Sequence, residues 1–273
     1  MTVDFVDWPA MAADGYPFPK AVPARQVADE LLAMLISPDP KIRDGFAYTA
    51  AARWIAEGRF DEVLEQLGDT AACRLAHPEV QARSFAPLTL CLILKRADSI
   101  PGLVTQAAAE RWYAAFSTWY PAEQDTRGWD DSLGWLHAVA HGADAAAAFA
   151  RVLPNRRAEL LELCARRMTA RQADYRYVQL EDARLARALT RILQAPDLGH
   201  EQATGWLAVV EAALHNGEGP GPTPVWAFNT FATLQSLHLH LIRGISDESV
   251  PPHAEAVAAR VAGILRLYCH WLA

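Results

Sequence analysis

Downstream of Pro23, apolar residues recur at three- and four-residue spacing in one segment after another, and no run alternates with period two between turn signals. That pattern admits helices with one buried stripe and excludes an α/β core. In ARQVADELLAMLIS, Val27, Leu31, Met34 and Leu35 form such a stripe. PDPKIRDGFAYTAAARWIAEG follows, with Asp39 at the N-cap position, Pro40 as the first helical residue and Gly58 as the stop. Further helices are read in FDEVLEQLGD, PEVQARSFAPLTLCLILKRA, GLVTQAAAERWYAAFSTWY, WDDSLGWLHAVAHGADAAAAFARVL and RRAELLELCARRM. ADYRYVQLEDARLARALTRIL, HEQATGWLAVVEAALHN, VWAFNTFATLQSLHLHLI and HAEAVAARVAGILRLYCHWL complete the series. A helix of this kind cannot bury its stripe alone and stacks on the next pair. The expectation is an all-α, HEAT-like α-solenoid of stacked antiparallel helix pairs, with an α/α toroid as the alternative. An irregular segment at 1–23 precedes a single helical-repeat domain at 24–273, interrupted by a Gly/Pro-rich loop at 216–224.

With 273 residues, 52% of them hydrophobic, the chain can bury a sizeable core. A net charge of −7 argues against nucleic acid or an anionic membrane as partner, since both want clustered Lys and Arg. The one basic stretch, NRRAELLELCARRMTARQADYR, alternates with acids and leucines and reads as a solvated helix face. The longest apolar run, Ala86–Leu94, is far short of the ~20 residues of a membrane span. The first twenty residues lack the basic and apolar regions of a signal peptide, so a cytoplasmic location is expected. Cys73, Cys91, Cys164 and Cys269 form no C-x-x-C pair and read as buried thiols. Phosphate-loop, G-x-S-x-G and Rossmann signatures do not occur.

Against that apolar background, certain polar residues stand out. Read as one helix from Trp129 to Leu153, the chain places His137, His141 and Asp144 within about 60° of one another, beside Leu136, Ala140, Ala143 and Ala147. A buried polar group left unpaired costs about 1–3 kcal/mol, so each needs a partner. One answer is a divalent metal held by His137, His141 and Asp144; Ala138 stands where a zinc protease has its glutamate. A second is acid–base catalysis, with His137 or His141 as base and Asp144 or Glu181 orienting it. A third is a hydrogen-bonded network that only joins helix layers.

Other helices repeat the anomaly. Glu181 shares a row with Val178, Leu185, Leu189 and Ile192, with Arg184 on its flank; Arg83 lies near Val80, Pro87 and Cys91; Asn229 lies among Val225, Ala232 and Ser236. In the preceding loop Asp125 and Arg127 can roof the same place, while Asp130 and Asp131 are placed to cap the helix. Arg83, Asp125, Arg127, His137, His141, Asp144, Glu181, Arg184 and Asn229 are therefore expected to line an inner pocket for a small molecule or peptide. The enzyme and the scaffold are the competing readings.

IRDGFAYTAAARWI, RSFAPLTL, EQDTRGWDDSLGWLHAVAHGAD and EDARLARAL occur in this order and together resemble a bacterial family catalogued as domain of unknown function 2785. Its pattern Asp-x-Arg-Gly followed by Gly-Trp-x-His-x-x-x-His-x-x-Asp is matched by Asp125, Arg127, Gly128, Gly134, Trp135, His137, His141 and Asp144. The resemblance runs from about Lys41 to the VWAFNTF helix. It implies a shared fold and polar block and brings no activity with it. Pro87 departs from the family, which has an ordinary helix former there, and predicts a kink.

Overall fold

The computed structural model describes residues 6–216, 221–246 and 249–272. Positions 217–220 of the Gly/Pro-rich loop lie outside that set. Among the described residues the protein is all-α, apart from two strands of two residues each. Helix α1 spans Trp8–Ala13 and α2 Ala24–Met34. A π-helical segment, Lys41–Tyr48, runs directly into α3, Thr49–Ala56. Then come α4 (Leu64–Arg74), α5 (Val80–Ser99) and α6 (Gln106–Ala122). The strands β1 (Trp129–Asp130) and β2 (Gly134–Trp135) precede α7 (Ala138–Val152). The rest is α8 (Arg157–Met168), α9 (Glu181–Leu193), α10 (His200–Gly205), α11 (Leu207–His215), α12 (Val225–Arg243) and α13 (Ala254–Arg266).

Local chemistry accounts for the boundaries. The Asp39 carboxylate accepts from the Lys41 amide at 2.8 Å, and Gly58 takes φ +75° just beyond α3, a conformation without a steric penalty only for glycine. Thr105 caps α6 by accepting from the Ala108 amide. Helix α5 continues through Pro87 without interruption.

The helices pack in two rows. The π-helical segment with α3, then α5, α7, α9 and α12, follow one another in the first; α2, α4, α6, α8, α11 and α13 form the second. At the centre lies α7, whose alanines are buried on nearly every side and let its neighbours approach closely. Gly142 carries this furthest, because a Cβ there would sit 2.1 Å from the Tyr120 ring. Tyr120 is stacked on Phe116 at 5.2 Å, and Phe116 packs on Phe149, so the ring has no room to retreat. Gly142→Ala should therefore lower stability by about 1–3 kcal/mol through overpacking. Urea unfolding would register it; an unchanged midpoint would mean that the α6–α7 contact is looser than described.

Several expectations need correction. Trp129–Leu153 is not one helix: a hairpin occupies its first third, closed by turn residues that override the helical spacing. Residues 173–180 are irregular, and α9 starts only at Glu181, so Val178 is exposed and belongs to no buried row. The segment assigned as irregular at the N-terminus contains α1, whose Trp8 is buried. Trp206 separates α10 from α11. Cys73 is exposed, and Arg167 of the basic stretch, far from solvated, is 1% exposed.

Candidate functional site

The hairpin is built by its own polar side chains. Asp130 accepts from the Ser132 hydroxyl at 2.6 Å and from the amides of Leu133 and Ser132 at 2.9 Å. Those bonds, the hydroxyl's first, hold its carboxyl below the usual carboxylate range. Asp130 thus closes a turn and does not cap α7. Gly134 has φ +70°, and a Cβ there would meet Pro40 at 2.8 Å.

Arg43, fully buried, ties this hairpin to the π-helical segment. Its guanidinium donates to the carbonyls of Leu133 (2.5 Å), Trp135 (3.1 Å) and Ser37 (3.1 Å), pairs with Asp44 at 2.9 Å and lies 4.7 Å over the Phe85 ring. Burial raises the Asp44 carboxyl, and Arg43 pulls the other way without cancelling it.

His137 follows the hairpin in the left-handed conformation, φ 52°, which costs a residue other than glycine about 1–3 kcal/mol. Its ring stacks on Trp135, 4.6 Å between centroids and 8° between planes. Nδ1 lies 3.2 Å from Glu181 Oε1. Glu181, the fully buried first residue of α9, also accepts from the Gln179 amide at 2.9 Å through its other oxygen. Leu180, just before it, is again left-handed at φ 64°. Two adjacent helices thus begin at strained residues, and their N-terminal ends meet in one imidazole–carboxylate contact. Gly128 leaves space for it: a Cβ there would fall 2.0 Å from Glu181 Oε1. Nε2 of His137 has no hydrogen-bond partner among the described residues, and Trp129 and Trp135 beside it are both about 40% exposed.

His141 behaves differently. It is buried, donates from Nδ1 to the Ser84 carbonyl at 2.9 Å and meets the Phe85 ring edge-on at 5.3 Å. Burial, only partly opposed by that bond, drives its pKa down to about 3 and keeps it neutral. Asp144 is bound by Arg184 and, at 2.8 Å, by Arg187. Burial raises its carboxyl, but Arg184 and then Arg187 outweigh this and leave it lowered. The three residues considered as metal ligands thus face other partners. Asp144 is turned to two guanidiniums and His141 to a carbonyl, and among the described residues no three His, Cys, Asp or Glu side chains could hold a metal ion together.

The remaining candidates separate. Arg83 binds both oxygens of Glu123, at 2.7 and 3.1 Å, at the edge of a different cleft of about 580 Å³ between α4 and α6. Glu123 also accepts from the Trp119 indole and the Asp125 amide. Burial raises its carboxyl, and these bonds, Arg83's foremost, bring it below its ordinary value. Asp125 and Arg127 pair with each other, and Arg127 also reaches Asp130, so they brace the hairpin loop. Asn229 accepts from the Tyr177 amide and donates to the Tyr175 carbonyl, both at 3.0 Å, which clamps the loop ahead of α9. The structure thus brings His137, His141, Glu181 and the Asp144–Arg184 pair close to one another and leaves Arg83 and Asn229 apart.

Sequence reasoning passed over Arg43, Asp44 and Arg187, and named Trp135 only within the family pattern. One signal was available for Arg43: it shares the spacing i, i+4, i+7, i+11 with Ala47, Ala50 and Trp54, all of them fully buried.

A family model described as "Protein of unknown function (DUF2785)" matches residues 74–239, which include the hairpin, His137, His141, Asp144 and Glu181. The curated proteins and the solved structures contain no match to this chain.

Proposed function

Because the chain belongs to the DUF2785 family, whose description carries no activity, its role has to come from the site, and we propose a helical-repeat binding module that receives a small molecule or peptide at His137. One observation carries this reading: His137 is held on two sides, by Glu181 and by the Trp135 stack, while Nε2 is left without a partner. That nitrogen is not among the buried unpaired side-chain atoms, so it can be reached from outside. Trp135, stacked on it, and Trp129, against Trp135, are both partly exposed, and Val178 and Leu180, just ahead of Glu181 in the chain, are exposed too. The two helix rows support a HEAT-like solenoid over a toroid, with candidate residues drawn from its first row.

A second reading has its own support. A buried carboxylate that orients Nδ1 and leaves Nε2 outward is the arrangement by which a histidine moves protons. On that reading Glu181 orients and His137 is the base. For Asp144 and Asn229, whose side chains are bound within the protein, and for His141, buried with Nδ1 on the Ser84 carbonyl, the scaffold reading is the better supported.

The test is a thermal-shift and tryptophan-fluorescence screen of small fragments and blocked tripeptides against the wild type and His137→Asn. A ligand at about one hundred times its Kd adds about 2.7 kcal/mol of stability. Hits that stabilise the wild type and not the variant are expected. Hits indifferent to His137 would sink the binding reading. Turnover of a hit, abolished by Glu181→Gln with binding retained, would select the enzyme.

A further inference from the structure

A second cleft, of about 370 Å³, opens where α7 lies between α5 and α9. Its floor is Ala147 and Ala148, so the central helix is recessed between neighbours that carry long side chains. Lys95 and Asp98 of α5 stand on one side, Arg191 of α9 and Gln194 just beyond its end on the other, with Asp144 and Arg151 of α7 at either end of the floor. Among the described residues, both acids that line the cleft are already bound by guanidiniums: Asp98 by Arg151 at 2.6 Å, Asp144 by Arg184 and Arg187 together. Two cations on one carboxylate leave a positive excess at that end, and Lys95 has no carboxylate within ion-pair distance among the described residues. A chain of net charge −7 therefore keeps a cationic recess on its first row.

We infer that this cleft binds a small polyanion, a phosphorylated compound or a polycarboxylate. Its volume falls at the lower end of the roughly 300–1,000 Å³ typical of small-ligand sites. The planar forks of arginine match phosphate and carboxylate oxygens two at a time, and lysine adds a point charge. The inference is independent of ligand binding at His137.

Isothermal titration of the full chain at low salt tests it, with inorganic pyrophosphate, inorganic phosphate and citrate as probes. Saturable binding of pyrophosphate or citrate is expected, with Kd about 1 mM or tighter. Lys95→Glu and Ala148→Leu, the latter filling the floor, should each weaken it about tenfold or more. Lys20→Glu makes the same charge change on an exposed residue elsewhere and should leave it almost unchanged, as should His137→Asn. Preference for pyrophosphate would assign phosphoryl chemistry, and preference for citrate carboxylates. No saturation by any probe overturns the inference, as does equal weakening by Lys20→Glu and Lys95→Glu, or full binding in a folded Ala148→Leu variant.

Discussion

Replacing Arg43 by methionine is expected to destabilise the protein by about 3–5 kcal/mol, the usual cost of removing one partner from a buried ionic network. Methionine preserves much of the side chain's volume and contact with Phe85 but leaves the Leu133, Trp135 and Ser37 carbonyls without their donor, and Asp44 without its counter-charge. The loss falls on the hairpin, so the stack between Trp135 and His137 should loosen with it. Urea denaturation measures the first effect and the fluorescence of the folded variant the second. Lys41→Met, an exposed change two residues away, serves as control and should stay within about 0.5 kcal/mol. Equal stability of Arg43→Met and wild type would mean that the hairpin does not depend on this guanidinium.

Acid should destabilise the wild type earlier than a His141→Asn variant. The folded protein holds His141 neutral down to about pH 3, whereas in the unfolded chain the imidazole takes up its proton near 6.5. The unfolded state therefore binds more protons between those values, and stability falls as pH drops through that window. The contribution is whole above pH 6.5 and gone below about 3; its full size is on the order of 5 kcal/mol. Between pH 6.5 and 5 it amounts to roughly 2 kcal/mol. Asp144 and Glu123, both lowered, add their own losses only below their ordinary values of 3.8 and 4.5. Asparagine keeps an N–H for the Ser84 carbonyl and has no proton to gain. Chemical denaturation from pH 7.5 to 4.5 should thus show a gap between wild type and variant that shrinks with acid; a constant gap would show that burial does not suppress protonation of His141.

Much of this protein is legible along its chain. The 3.6-residue recurrence of apolar positions located the helices, because which side of a helix is buried depends on spacing within a few turns. The Asp39 cap, the Gly58 stop and the polar block from Asp125 to Asp144 are equally local. The hairpin was missed, although Asp130, Ser132 and Gly134 are turn formers, since Leu133 and Leu136 fit a helical stripe as well as a strand. Arg167, like Arg43, sits on a buried stripe, in its case with Leu160 and Cys164, and donates to the carbonyls of Tyr120 and Glu123.

Period alone says that such an arginine is buried and cannot say what receives it. Those partners lie far along the chain: 44 to 47 residues away for Arg167, 90 and 92 for the carbonyls of the hairpin that Arg43 holds, and 44 between His137 and Glu181. The sequence by itself determined that polar groups enter the apolar faces of particular helices. Tertiary packing alone decided that His141 faces a carbonyl, Asp144 two arginines, and His137 a carboxylate with one nitrogen to spare. The physical reason is that helix periodicity is a property of neighbours in the chain, whereas hydrogen bonding and desolvation depend on whichever groups the packed rows bring within about 3 Å.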